Sequence, residues 1–470
     1  MDASWINPAN FRRVIVQDVG DRQQVQAASN DYCLMLLCVV EAILARAERD
    51  PAYPFINTKL SLLTGQDAPD SDPLRGRNTI FGWIQGRGLE ALAGHDEWIA
   101  RQFWLDEPVR RDFHRRITRL MRQVLDKLER VRAANGGRLF FMMTPEGWPL
   151  KVDELGRVLP DELPPDLPHS LNDLFYCKGM AAAAWRLGDD AVLARSERLF
   201  AEVLEDIRTG RYYSDQQQLD PRNPVKPVPG RCGHGSRMIT IGAATRFLSC
   251  TGDRKYIQIG LEALEYILRR HVQHTDDHPV IRRHEMWEFT DPEGNVFVQN
   301  GVIWNDPGHA TELAGLGLRF LDVAEAAGLT DAQRAQSQQF RQVLRDVLVR
   351  NFENGFSPRG FGLVKSYDLA AHKPINDHMP WWNLPETIRG AVLAARGAPA
   401  EQQGRLLDIA ARCSNAFVRY YVRPDLHLMA YQTIDAAGRP VDVIPATPDA
   451  DPAYHTGLSI IDALDAADDM

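Results

Sequence analysis

The sequence predicts an all-α protein, a ring of six helical hairpins. Three observations predict it. Apolar residues recur at helical spacing over most of the chain, about twelve such runs follow one another, and short Gly- or Pro-marked stretches separate them. An open helical solenoid is the rival arrangement. Against it, no sequence motif repeats at a fixed period.

The helices are expected near 30–49, 79–104, 110–135, 169–187, 190–208, 236–251, 254–273, 309–327, 331–351, 383–396, 401–421 and 456–467. The first contains "CLMLLCVVEAILA" (33–45), the most apolar run. It is shorter than the ~20 residues of a membrane span and is interrupted by Glu41, so it reads as a buried helix. Residues 1–29 before it read as an N-terminal extension of a single domain covering 1–470. The second helix carries "IFGWIQGRGLEAL" (80–92). Ser170 caps "LNDLFYCKGMAAAAWRL", and Thr330-Asp331 opens "AQRAQSQQFRQVLRDVL". Asp306-Pro307 gives the eighth helix an acidic N-cap and a proline in its first turn. A Trp pair precedes the tenth, and His455 begins the last. The stretches "GGRLFFMMTPEGWPLKVDELGRV", "MWEFTDPEGNVFVQNG" and "YQTIDAAGRPVDVIP" suit small β-hairpins. The Pro-rich "PDELPPDLPHS" (160–170) reads as a rigid loop within the domain.

A formal charge of −9 argues against nucleic acid as a partner. The polar start "MDASWINPANFRRVIVQDVG" lacks the apolar core of a signal peptide. Six cysteines are scattered without a CxxC pair, which suits reduced core thiols. A cytoplasmic protein without membrane contact is therefore expected. Outer helices of an acidic helical ring can support a homodimer.

Four stretches carry chemistry. Trp83, Arg87 and Glu90 share one helical face. Arg87 is either the partner of Glu90 in solvent or a rigid donor fork for a sugar or carboxylate oxygen. His309 sits in a first helical turn, where the dipole disfavours the imidazolium and should keep the ring neutral. Glu312 follows on the same face. Taken alone, the pair also fits a merely capped helix. No metal is expected, because one His-x-x-Glu pair lacks further ligands at a recognisable spacing. In "HMPWWNLPETIRGAVLA", Trp381 and Trp382 cannot both be expected to fill the core, and one can form a platform for sugar rings. Glu386 follows one turn on. His455 lies in "DPAYHTGLSIIDALD". The histidines His271, His274, His278 and His284 are unevenly spaced among charges and read as a solvated loop.

In order and spacing, these stretches resemble the N-acylglucosamine 2-epimerase family. "WIQGR" resembles its Trp-x-Gln-Gly-Arg, and "GRLFFMMTPEGWPLKVD" its Gly-Gly-Lys…Thr-x-x-Gly-x-Pro-x-Lys segment. "NDPGHATELAGLGLRF" resembles Asn-Pro-Gly-His-x-x-Glu-x-x-Trp, "PWWNLPETIRGAVL" resembles Trp-Trp-Pro-x-x-Glu-Ala, and "AYHTGL" resembles the terminal His-x-x-Arg. The likeness spans roughly 30–465. It implies an (α/α)6 barrel and a cofactor-independent sugar epimerase or aldose–ketose isomerase working at C2 of an open-chain aldose or N-acylhexosamine. It also implies that His309 and His455 are the catalytic histidines, Arg87 the substrate-oxygen arginine and Glu312 the glutamate grouped with His309. Trp83, Trp381, Trp382 and Glu386 are the further substrate-binding candidates. His234 is a lesser one, because the histidine some members use aligns better with Ile239.

The chain departs from the pattern at Leu458 (for Arg), Ile303 (for an Arg in some members), Asn383 (for Pro), Leu384 (for His or Gln) and Gly315 (for Trp). These changes remove polar partners and one aromatic wall, so substrate choice should differ. Two other readings are an (α/α)6 glycoside hydrolase, with Glu312 paired to Glu386 or Asp173, and a non-catalytic sugar-binding protein.

Overall fold

In a computed structural model, residues 1–164, 166–216, 219, 228–444 and 446–470 are described. Residue 165 of the Pro-rich loop lies outside them. Among the described residues twelve α-helices follow one another: α1 (Arg22–Arg49), α2 (Gly82–Arg101), α3 (Glu107–Ala134), α4 (Leu171–Leu187), α5 (Asp190–Arg208), α6 (Gly235–Thr251), α7 (Lys255–His271), α8 (Pro307–Ala326), α9 (Asp331–Gly355), α10 (Asn383–Ala395), α11 (Ala400–Tyr420) and α12 (Ser459–Asp468). The even-numbered helices form the inner ring. Each packs on the next, and a π-helical turn at Tyr454–Leu458, just before α12, packs on α2 and closes it. α3, α5, α7, α9 and α11 lie outside against α2, α4, α6, α8 and α10, with α1 beside α2 and α3. The fold is an (α/α)6 barrel, as expected, not an open solenoid.

The two rings differ in sequence for a packing reason. α3 buries one stripe, Phe113, Ile117, Leu120, Met121, Val124, Leu125, Leu128 and Val131, and leaves its other face to charged residues. α4 has neighbours on all sides and buries every residue from 172 to 184. α2 and α4 approach so closely that a Cβ on Gly179 would lie 2.0 Å from the Gly86 carbonyl oxygen.

Several expectations are corrected. α1 begins at Arg22 rather than near 30, so the extension is shorter than 1–29. That segment is strapped down, since the Arg12 and Val14 N–H groups donate to Asp31 and the Val16 N–H donates to Asn415. α1 is the one described helix with the length and hydropathy of a membrane span, and 67% of that window is buried in the fold. Of the three proposed hairpins, Leu150–Val152 with Val158–Pro160 forms a full strand pair, and the other two close locally through single antiparallel bridges, Thr290 to Val296 and Ile434 to Pro440. Those two segments also make strand pairs across the barrel rim. Phe289–Thr290 pairs with Cys232–Gly233, and Thr433–Ile434 with Met379–Pro380. All six cysteines are free, with Cys38, Cys177 and Cys413 buried.

A second tie closes the ring between distant parts of the chain. Lys59 and Asp449 form a buried ion pair at 2.8 Å, the Thr58 hydroxyl donates to Asp449, and the Ala450 N–H donates to the Thr58 carbonyl.

The α2–α4 crossing gives the first prediction. Gly179→Leu lowers the melting temperature, with a cost at least in the range of about 1–3 kcal/mol usual for overpacking. Calorimetry checks this, and an unchanged melt means the helices can separate freely.

Candidate active site

Because the inner helices run in one direction, their first turns meet on one rim of the barrel. Each inner helix supplies a polar or aromatic group there, at or near its start. His309 lies in the first turn of α8, capped by Asp306, whose carboxylate accepts the Gly308 and His309 N–H groups. Gly308 has no side chain because a Cβ there would lie 2.1 Å from Asn383 Oδ1. Asn383, where the resembled pattern has Pro, thus keys α10 onto the start of α8.

The His309 Nδ1–H donates to Glu288 Oε1 at 2.7 Å, and Asp306 Oδ2 lies 3.5 Å from the same nitrogen. Burial alone would lower the imidazolium pKa. Asp306 and Glu288 outweigh it and push His309 up to about 9. The neutral ring expected from the helix dipole is therefore corrected, because two nearby carboxylates act more strongly than one helix end. Burial likewise disfavours the Glu288 carboxylate, yet His309 and His234 hold it well below the usual range. Lys365 binds that same oxygen, Asp306 Oδ2, at 2.7 Å and lies over the Trp382 ring.

His455 is the second residue of the π-helical turn that follows Ala453, which adopts a left-handed φ of 62°. Its Nδ1–H donates to Glu386 Oε1 at 2.9 Å. The Ser459 hydroxyl donates to the same oxygen, and Arg389 takes Glu386 Oε2. Glu312 is buried, and one of its oxygens lies within 4.8 Å of ligand atoms of Glu386 and His455. The environments of these two carboxyls push them apart. Burial and the adjacent Glu386 raise Glu312, whereas Arg389 and His455 hold Glu386 down against its burial.

Trp382 joins the two halves. Its ring centroid lies 5.3 Å from that of His309 and 5.6 Å from that of His455. Both tryptophans of the pair are buried, and Trp381 meets His455 edge-on. Arg87 lies over the rings of Phe175, Trp83 and Tyr454. It has no ion pair among the described residues. Glu90, its proposed solvent partner, is instead buried against Lys178 at 3.0 Å, and Lys178 also donates to the Tyr454 hydroxyl at 2.5 Å. Trp83 is buried against Phe141 and Phe175, so it backs Arg87 rather than offering a free platform.

His234, the lesser candidate, is fully buried, with Nε2 3.3 Å from Glu288 Oε2. Sequence reasoning missed Glu288, Lys365, Arg389 and Tyr454. Glu288 had one local signal, since strand alternation sets it opposite Trp287 and Phe289. His271, read as part of a solvated loop, is buried at the end of α7 edge-on to His234. Burial and the neighbouring His234 lower its pKa to about 3. Asp173, one candidate partner for hydrolysis, is instead the capping-box carboxyl of α4, bonded to Arg138. His234, Glu288 and His309 form one set able to hold a metal ion, and Glu312, Glu386 and His455 form another.

The fold and this rim define an (α/α)6-barrel enzyme with paired imidazole–carboxylate groups. A model of the N-acylglucosamine 2-epimerase (GlcNAc 2-epimerase) family matches residues 175–457. The chain belongs to that family and is a sugar epimerase or isomerase. No curated protein matches the sequence. The structure is similar to D-mannose isomerase (TM-score 0.62, 14% identity, covering 91% of this chain and 97% of that one). It is also similar to cellobiose 2-epimerase from Spirochaeta thermophila DSM 6192 (TM-score 0.65, 14% identity, 96% and 99%). A third likeness is to cellobiose 2-epimerase from Bacillus thermoamylovorans B4167 (TM-score 0.60, 13% identity, 83% and 88%). At these identities the likenesses speak to the fold.

The raised His309 pKa predicts a pH dependence. A group whose folded pKa exceeds its ordinary value of 6.5 stabilises fully below that value and loses its contribution as pH rises through about 9. Thermal unfolding across this window should show the decline, and Glu288→Gln should weaken it. An equal slope in both proteins would remove Glu288 from the coupling.

Proposed function

We propose that the protein epimerises or isomerises an open-chain aldose or N-acylhexosamine by cofactor-independent proton transfer at C2. The single observation that carries this reading is the pair of imidazoles, His309 and His455, in contact with one indole, each tied at Nδ1 to its own carboxylate. A carboxylate only accepts, so each Nδ1 carries the proton and Nε2 is left for exchange with substrate.

The two rings are prepared for different roles. His309, held between Glu288 and Asp306, rests as the imidazolium and supplies the acid. His455 supplies the base, with Glu386 orienting the ring. Removal of the C2 proton by His455 Nε2 leaves an enediolate, whose oxyanion the Arg87 guanidinium stabilises. Return of a proton from His309 Nε2 to the opposite face of C2 gives the epimer. For an aldose with a hydroxyl at C2, return to C1, with the O2 proton passing to O1, gives the ketose. His309 must then regain a proton and His455 must lose one, so solvent hydrogen enters the product. The hydrolase reading has less support, because both oxygens of Glu386 are already engaged.

Incubation in deuterium oxide with D-mannose, cellobiose and N-acetyl-D-glucosamine should place deuterium at C2 of an epimer or C1 of a ketose formed from at least one sugar. His309→Asn or His455→Asn should lower the exchange rate roughly 10²–10⁴-fold, the usual contribution of an acid–base group, with the fold retained by circular dichroism. A variant that keeps the full rate removes that histidine from the mechanism.

A further inference from the structure

Arg389 is a buried cation placed where packing alone gives no reason for one. It lies in α10 three residues beyond Glu386 and is 5% exposed. Taking a guanidinium out of water costs several kcal/mol unless its partners restore the loss. Its partners are Glu386 Oε2 and, at 3.8 Å, Asp462. Its Nε has no hydrogen-bond partner among the described residues.

Space for the guanidinium comes from the facing helix. A Cβ built on Gly315 of α8 would lie 2.7 Å from Arg389 Nε and 3.4 Å from Nη2. The bare backbone at 315 and the arginine at 389 therefore fit as a pair. Gly315 lies three residues beyond Glu312. The gap and the cation that fills it thus sit directly beyond the two carboxyls, Glu312 and Glu386, that stand within reach of each other.

Two buried carboxyls so close cannot both carry a charge unless a cation pays for it. Arg389 touches only one of them. It occupies Oε2 of Glu386, leaving Oε1 to accept from His455 and Ser459.

We infer that Arg389, seated in the gap left by Gly315, is a positioning residue for His455: it keeps the negative charge of the carboxyl pair on Glu386 and turns Oε1 toward the imidazole. That fixes the ring orientation and the nitrogen left for substrate. The inference rests on His455 acting as a proton carrier. The directions of titration agree, with Glu386 held down and Glu312 raised.

The test uses the full chain and whichever of D-mannose, cellobiose and N-acetyl-D-glucosamine exchanges deuterium fastest. Arg389→Met should lower kcat about 10–100-fold, as loss of an orienting partner usually does, with KM nearly unchanged. Without its cation Glu386 becomes easier to protonate, so the acidic limb of the pH–rate profile should move up by about one unit or more. Arg389→Lys, which keeps the charge but not the fork, should restore the limb and part of the rate. If Arg389 acts through Glu386, Glu386→Gln with Arg389→Met should be no slower than Glu386→Gln alone. This double variant removes both members of the buried pair, so it keeps the test valid if Arg389→Met alone fails to fold.

Ring-15N NMR gives a readout free of substrate. The protonated Nδ1 of His455 should lose its fixed hydrogen bond in Arg389→Met, while the His309 signals stay in place. Wild-type kcat and an unmoved limb in Arg389→Met would overturn the inference. So would losses that simply multiply in the double variant. An active His455→Asn would instead overturn the proton-transfer reading itself, which keeps the two failures distinct.

Discussion

The direction of the inner helices is the constraint on which the rest depends. Once α2, α4, α6, α8, α10 and the turn before α12 are packed side by side around the ring, their starts share one rim. A helix start presents unpaired N–H groups and a partial positive charge. Such a rim welcomes anions and resists cations, which suits a reaction that builds an oxyanion. It is a poor place for an imidazolium. Carboxylates must therefore accompany each histidine there, and Glu288 and Asp306 do so for His309 as Glu386 does for His455.

The two imidazole–carboxylate pairs are not alike. His309 faces two carboxylates, only one of which, Asp306, is shared with a lysine. His455 bonds to Glu386, which is shared with an arginine and a serine, while Glu312 stands close to both. The same residue types thus give one ring that holds its proton firmly and another whose partner is already partly neutralised.

Much of the barrel was legible in the sequence because helical periodicity and capping are local. Thr330, Ser170 and Asp306 mark three helix starts correctly, and the Trp pair marks a fourth. His309, Glu312, His455, Glu386 and Trp382 could be gathered because ordered motifs carried them. Glu288 could not, since it lies in a loop 21 residues before His309 and meets it only through the fold. Arg389 was missed for a related reason: its meaning depends on an absent side chain on another helix. The hairpins are present but short. That two of them also pair across the rim was not legible, because that second pairing is made only by the fold.

The ring is sealed between chain segments nearly four hundred residues apart, by Lys59 with Asp449 and by the backbone bond from Ala450 to Thr58. This seam is not covalent, and it lies a few residues before His455. Of the two imidazoles, His455 therefore depends on the clasp, whereas His309 sits mid-chain on a helix flanked on both sides. Loosening of that clasp would take His455 away from Glu386 and Trp382 before the barrel as a whole came apart, so the integrity of this rim is tied to the barrel's closure rather than to its bulk.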